Sequence, residues 1–348
     1  MRIHHFYPGP SRVYSKLPRY LRDAYHQGIM SCNHRSKMFH RLDRETKKVI
    51  KEKLSIPNDY EIVFVSSATE CWEIIAQSLM YQKSHHIYNG SFGRKWADCT
   101  EKIGIKAVRQ PLPIDGGLNY KNSSNLETIC ITHIETSNGT QVSNGLLKEL
   151  DSYEGKITAI DATSSMGGML LPWELGDVWF ASVQKCFGLP AGLAVMVLSP
   201  KAIQRGEALG NSGHYNSLNT IYKNACKNET HHTPNVLNIY SLYRTQLDSA
   251  PISEINKVLE NRLHRYSGII EDHPELDWYI KDKDSRSKTV LCLSVKHPKQ
   301  FLGKCEKAGF VLGKGYGNIK DLTIRIANFP AIEEEEVTDL CEFLLKDI

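Results

Sequence analysis

Trp179–Gly192 reads WFASVQKCFGLPAG: an apolar run, a lysine at 185, then a loop of glycine, proline and small residues. Most lysines are solvated surface charges. This one stands between an apolar strand and a tight loop, a poor setting for a free ammonium. Burial disfavours the protonated amine, and the neutral amine is the form that nucleophilic chemistry needs. Some two dozen residues earlier, Ile157–Asp161 (ITAID) is another apolar strand, ending on a carboxylate and followed by the small-residue stretch Ala162–Gly168. In open α/β sheets ligands bind at the carboxyl ends of the strands. An amine and a carboxylate at two successive strand ends constrain each other, although an aspartate there also suits an N-cap or a turn.

Working outward, Glu61–Val65 (EIVFV) reads as a strand with a helix after it over Glu70–Met80. His86–Tyr88 is short and β-like and precedes a helical segment around Trp96; Thr128–His133, Trp179–Ser182 and Leu193–Leu198 are brief, apolar and rich in β-branched residues. Strands alternating with helices predict an α/β fold with a largely parallel sheet covered on both faces. The pattern changes near Leu247–Pro251. Beyond it we expect a helix to about Glu271, a strand at Thr289–Val295, a helix at Pro298–Gly309, a strand at Leu322–Ala327 and a last helix at Ile332–Lys346. Its EEEE run suits the positive end of a helix dipole. The expected organisation is a large domain over 16–246 and a smaller α+β domain made of 247–348 with the N-terminal segment 1–15, which has no obvious place in the large sheet.

Composition narrows the function classes. The chain has 348 residues, 43 Lys and Arg against 39 Asp and Glu, and a net charge of +4. That mild excess helps attract anionic small molecules but is far from the density of a nucleic-acid binder, and no basic motif with stacking aromatics accompanies it. No apolar run approaches the roughly 18–20 residues of a membrane span, and Met1–Pro10 lacks the apolar stretch of a signal peptide. Nine cysteines without CxxC pairs suggest neither a disulfide framework nor a structural zinc site. The expectation is a cytoplasmic protein with no metal, membrane or nucleic-acid partner.

Beyond the two strand ends, short motifs recur in a fixed order: PGPS at 8–11, NHRS at 33–36, SSATE at 66–70, NGSFG at 89–93, HIETSNG at 133–139, DATSS at 161–165, SVQKCFGLPAG at 182–192, HTPN at 232–235 and RIANFP at 325–330. On these the chain resembles the class V, fold-type I enzymes that use pyridoxal 5′-phosphate, and within them it is most similar to phosphoserine aminotransferases. The resemblance implies a large cofactor-binding domain with a mostly parallel, seven-stranded-type sheet. It makes Lys185 the residue that carries the cofactor and Asp161 the partner of its pyridinium nitrogen, which keeps the ring an electron sink. Phe92 would stack on the ring, where the family often has tryptophan; such a phenylalanine is otherwise plain core. Ala68 and Thr69 would offer backbone N–H groups to the cofactor phosphate at a helix N-terminus, although SSATE also reads as a simple capping segment. Gln184 would reach the phosphate, Thr136 the ring's phenolic edge, and Thr163 would add to the surroundings of Asp161. His232 and Thr233 match a segment lent by the neighbouring subunit, which implies a homodimer with shared sites.

For the substrate, Arg325 within LTIRIA matches an arginine that grips the α-carboxylate by a bidentate fork. His34 and Arg35 match a pair that reads the substrate's phosphate or side-chain carboxylate; the alternative is a solvated basic turn. The implied reaction is transfer of an amino group from glutamate to 3-phosphohydroxypyruvate, a step of serine biosynthesis. The chain departs from the family where an additional arginine gives way to Thr69 or Glu70, where a second His-Arg pair becomes GKGYGN with Lys314 as the possible cation, and where the usual asparagine becomes His232. The alternative is another class V aminotransferase, of the alanine–glyoxylate or serine–pyruvate type; NGSFG and DATSSMGG suit the alanine–glyoxylate branch equally well, but NHRS favours phosphoserine. Gln184 stands where cysteine desulfurases have histidine. A non-catalytic binding protein of this fold would not be expected to retain both Lys185 and Asp161.

Overall fold

In the computed structural model residues 3–114 and 127–346 are described. In chain order the first elements are β1 (His4–Phe6), α1 (Leu17–His26), α2 (Lys37–Leu54), β2 (Glu61–Val65), α3 (Ala68–Leu79), β3 (Lys83–Tyr88), α4 (Ser91–Lys102) and β4 (Lys106–Pro111). There follow β5 (Thr128–Thr132), β6 (Ile134–Glu135), β7 (Thr140–Gln141), α5 (Asn144–Asp151), β8 (Ile157–Asp161), β9 (Val178–Ser182) and β10 (Ala194–Leu198). Helices α6 (Pro200–Leu209), α7 (Leu218–Ala225), α8 (Val236–Asp248) and α9 (Ile252–Asp272) lead to β11 (Leu276–Trp278), β12 (Val290–Val295), α10 (Pro298–Lys307), β13 (Phe310–Lys314), β14 (Thr323–Ala327) and α11 (Glu334–Lys346).

Seven strands form the main sheet in the order β2-β10-β9-β8-β5-β3-β4. Strand β10 runs antiparallel to both neighbours, and the β9-β8, β8-β5, β5-β3 and β3-β4 pairs are parallel. Every residue of β5, β8, β9 and β10 is buried, as expected of strands covered on both faces. Alternate residues serve opposite cores. Ile62, Phe64, Ile131, Ile160 and Val195 pack on one side; Val63, Val65, Ala159, Phe180 and Met196 pack on the other, against α3, with Cys71, Ile74 and Ile75.

A second sheet of five strands has the order β1-β13-β14-β12-β11. Strand β1 pairs in parallel with β13, His4 opposite Phe310, which gives the N-terminal segment its place. On this pairing we propose that 1–15 belongs with 247–348 as one unit and 16–246 forms the other. The chain then returns to the main sheet, where Ser11 N–H donates to the Gln184 carbonyl (3.0 Å). The Thr289 hydroxyl donates to the Ser164 carbonyl (2.6 Å), tying the second sheet to the loop after β8. All nine cysteines are free. Among the described residues no helix is long and apolar enough to cross a membrane, and no group of three or more His, Cys, Asp or Glu could hold a metal ion.

Candidate active site

Asp161 ends β8, and Lys185 follows the end of its parallel neighbour β9 by three residues. Both side chains line one cavity of about 370 Å³, together with Gly9, Ala68, Thr69, Trp72, Phe92, Lys95, Thr132, Thr136, Thr163, Ser182 and Gln184. The Lys185 amine donates to Thr136 Oγ1 (2.8 Å) and Ser164 Oγ (3.0 Å), and those hydroxyls lie 2.6 Å apart. Burial pushes its pKa down to about 8 against the opposing pull of Asp161 and Glu135. Gly9 is required here: its φ is +147°, and a Cβ would stand 3.0 Å from Lys185 Cε.

Asp161 accepts from the Thr163 backbone N–H (3.0 Å) and from Trp72 Nε1–H (3.3 Å). Its carboxyl is nonetheless pushed above the usual range, because burial outweighs those bonds and the attraction of Lys185. A buried acid in this state is suited to a cationic partner at its strand end. Phe92 faces the same cavity, its ring centroid 5.3 Å from the Lys185 amine.

Helix α3 begins at the cavity wall. Ser67 caps it by accepting from Glu70 N–H (3.1 Å). Ala68 N–H is already engaged by Ser182 Oγ (2.7 Å). The expectation that it is free for an anion is therefore met only if Ser182 releases it. Thr69 supplies the next amide of the first turn, where helix N–H groups lack intrahelical acceptors.

Arg325 lies on β14 and is buried; burial lowers its pKa from the ordinary arginine range. Its Nε donates to the Lys314 carbonyl and its Nη1 to the Thr136 carbonyl, both at 2.8 Å. One residue, Thr136, thus touches the Lys185 amine through its hydroxyl and the Arg325 guanidinium through its carbonyl. Two of five guanidinium N–H groups are committed in this way. Lys314 itself is exposed, and neither it nor Arg325 lines the cavity; Arg325 meets the site through Thr136.

His34, Arg35, His232 and Thr233 stand elsewhere and do not line the cavity. Arg35 is half-exposed and ion-paired with Glu229, which also meets His40 Nε2 at 3.1 Å. His34 and His232 lie close enough for the His34 charge to lower the His232 pKa, after burial. His232 packs edge-on against His231 with centroids 4.6 Å apart, and Thr233 is exposed.

Several residues without an assigned role in the motifs prove central. Glu135 is buried, and burial raises its pKa although it accepts from Phe92 N–H, Gly93 N–H (3.1 Å) and Ser137 Oγ (2.6 Å). It thereby caps the N-terminus of α4 and orients Phe92. Gly90 permits this, since a Cβ there would lie 2.1 Å from Glu135 Cγ. Ser164, Ser182 and Trp72 hold Lys185, the α3 amide and Asp161 respectively. Glu135 and Ser164 fall inside HIETSNG and DATSS, so the motifs carried a signal for them. Tyr316 falls inside GKGYGN, the stretch that replaces the second His-Arg pair, whereas Lys95 carried none.

The residues fit pyridoxal 5′-phosphate. The Thr132 hydroxyl in the cavity wall is buried with no hydrogen-bond partner among the described residues. The donor set supplies a buried amine, a buried carboxylate, an aromatic face and a helix N-terminus around one space.

Comparison with known proteins agrees. The model of the family described as aminotransferase class-V matches residues 8–315. A curated phosphoserine aminotransferase of Rhodococcus opacus is 27% identical over 95% of this chain and 91% of its own length. One from Corynebacterium glutamicum is 25% identical over 97% and 93%. The crystal structure of a phosphoserine aminotransferase from Cytophaga hutchinsonii superposes with a TM-score of 0.95 at 32% identity, covering 99% of both chains. An alanine–glyoxylate aminotransferase from Nostoc sp. shares the fold at a TM-score of 0.81 and 16% identity, over 98% of this chain and 94% of its own.

Proposed function

The chain belongs to the class V aminotransferases, and from that premise we propose that it is a cytoplasmic, homodimeric transaminase exchanging an amino group between glutamate and 3-phosphohydroxypyruvate. Lys185 would carry pyridoxal phosphate, with Asp161 at the ring nitrogen, Phe92 on the ring face, Thr136 and Thr163 beside it, and Thr69, Gln184 and Ser182 toward the phosphate. When bound, the cofactor supplies an electron sink for the pair left when a Cα–H bond breaks.

The chain's own residues do the rest. Asp161, buried and acceptor-only when ionised, holds a proton on the nitrogen facing it. Lys185 Nζ, with its pKa lowered to about 8, would move the proton between substrate Cα and the cofactor's C4′, on the other side of the shared nitrogen. Ser164 and Thr136 orient that amine. Arg325 holds the α-carboxylate on its uncommitted N–H groups. The observation that carries this reading is Thr136, which joins the reactive amine to the carboxylate-binding guanidinium and so matches the two ends of an α-amino acid.

His34, Arg35, His232 and Thr233 would complete the site of the neighbouring subunit; that none of them lines the cavity of their own chain supports a composite arrangement. A second reading, an aminotransferase for a smaller acceptor of the alanine–glyoxylate type, is favoured by one observation: Glu229 already neutralises Arg35. A half-reaction screen separates the two. Holoenzyme is mixed with phosphoserine, glutamate, alanine or serine, and conversion of the cofactor is followed by absorbance. Conversion by phosphoserine and glutamate is expected; rapid conversion by alanine with phosphoserine inert would establish the second reading instead.

A further inference from the structure

We infer that Lys95 is a specificity-determining residue of this site, its ammonium reading a second anionic group, a phosphomonoester, on the side chain of the amino acid substrate. The inference rests on the transaminase reading. Lys95 follows Phe92 by one turn of α4, so the two side chains share a face. Its amine lies 5.5 Å from the Phe92 ring centroid and 5.1 Å from that of Tyr316, and donates to the Tyr316 hydroxyl at 2.7 Å. Phe92 and Tyr316 are themselves stacked, with centroids 5.3 Å apart and planes at 25°. The Arg325 guanidinium lies 5.4 Å from the Tyr316 ring on the same connected edge. Lys95, Tyr316, Phe92 and Arg325 therefore form one connected wall, in which Lys95 and Phe92 line the cavity and Tyr316 and Arg325 adjoin them.

Charge decides what that wall is for. The cationic side chains lining the cavity are Lys95 and Lys185, and Lys185 is committed to proton transfer. Among the described residues Lys95 forms no ion pair, whereas Arg35 is matched by Glu229. Its side chain is exposed, lies beside two rings and donates to a phenol, which leaves two of its three N–H donors for a ligand. A substrate with its amino nitrogen at Lys185 and its carboxylate on Arg325 has this edge of the cavity for its side chain. A phosphomonoester brings up to two negative charges and three acceptor oxygens, enough for the ammonium and the Tyr316 hydroxyl together. A carboxylate side chain meets the same donors with less charge, and a methyl group meets none of them.

The test uses holoenzyme of the wild type, Lys95→Met and Lys95→Arg. Calorimetric titration with 3-phosphoglycerate and with lactate measures binding alone, because neither ligand has an amino group to transfer. Lys95→Met is expected to weaken 3-phosphoglycerate about tenfold relative to lactate, with Lys95→Arg recovering most of the preference. In the half-reaction, the ratio of phosphoserine to alanine efficiency should fall by a similar factor through half-saturation, the limiting rate for phosphoserine staying within about twofold. Equal weakening of both ligands, or 3-phosphoglycerate affinity within about twofold of wild type in Lys95→Met, would overturn the inference. A selective loss for glutamate with none for phosphoserine would overturn the phosphomonoester assignment. A wild-type holoenzyme that converts no amino acid sinks the transaminase reading itself, a different result from any of these.

Discussion

Replacing Lys185 by methionine should stabilise the cofactor-free protein while abolishing its chemistry. The amine belongs to a buried side chain, and burial brings its pKa from 10.5 to about 8. At 1.36 kcal/mol per tenfold, that displacement costs the folded state about 3 kcal/mol when both states are protonated. Methionine keeps the unbranched stem, and Thr136 Oγ1 and Ser164 Oγ, 2.6 Å apart, still bond each other once the amine is gone. Little new penalty therefore offsets the gain. Between about pH 8 and 10.5 the unfolded chain binds the proton that the folded chain has released, so wild-type stability rises with pH over that window, and below pH 8 the penalty is complete. Lys185→Met should accordingly exceed wild type by about 3 kcal/mol at pH 7 and by less than about 1 kcal/mol at pH 10. Denaturant unfolding of both cofactor-free proteins, at one protein concentration and several pH values, measures the difference. Lys156, also lowered to about 8 by burial, is common to both chains and cancels. Parallel stability curves from pH 7 to 10 would refute the reasoning.

Asp161→Asn should fold and bind cofactor yet lose about a hundredfold or more in single-turnover rate, since a neutral amide cannot hold the ring-nitrogen proton; near-normal rates would remove that role from Asp161. Arg325→Ala should raise KM for phosphoserine, glutamate and alanine alike, because all share the α-carboxylate, whereas Arg35→Ala should raise it about tenfold for phosphoserine and much less for alanine. Equal losses in Arg35→Ala would favour the smaller-acceptor reading. If the site is composite, mixing Lys185→Ala with a variant carrying a bulky residue at Thr233 should restore activity through hybrid dimers; a fully active monomer at assay concentration would contradict it.

What could be read from the chain follows from where each residue's determinants lie. The central strands were legible because a strand buried on both faces is mostly apolar, as β5, β8, β9 and β10 are apart from three threonines, Asp161 and Ser182. Strand β4, KAVRQP, was not, because an edge strand carries charges and can end on proline without breaking a ladder. Strands β1 and β11 span three residues each, too few for any periodicity to register. Antiparallel β10 read the same as its parallel neighbours, since direction is set by the connections and not by composition. The same logic divides the site. Lys185 and Asp161 stand at strand ends, where local sequence announces the position. Arg325 was visible as a charge inside an apolar strand, but its two carbonyl partners come from Lys314 and Thr136 and could not be read from TIRIA. Glu135 is the clearest case of long-range determination: its donors lie at 92, 93 and 137, and they converge only because Gly90 lets the backbone approach. Lys95 looks in sequence like any lysine on the polar face of a helix. It becomes a recognition group because Tyr316, 221 residues later, comes to lie against Phe92 and takes its amine.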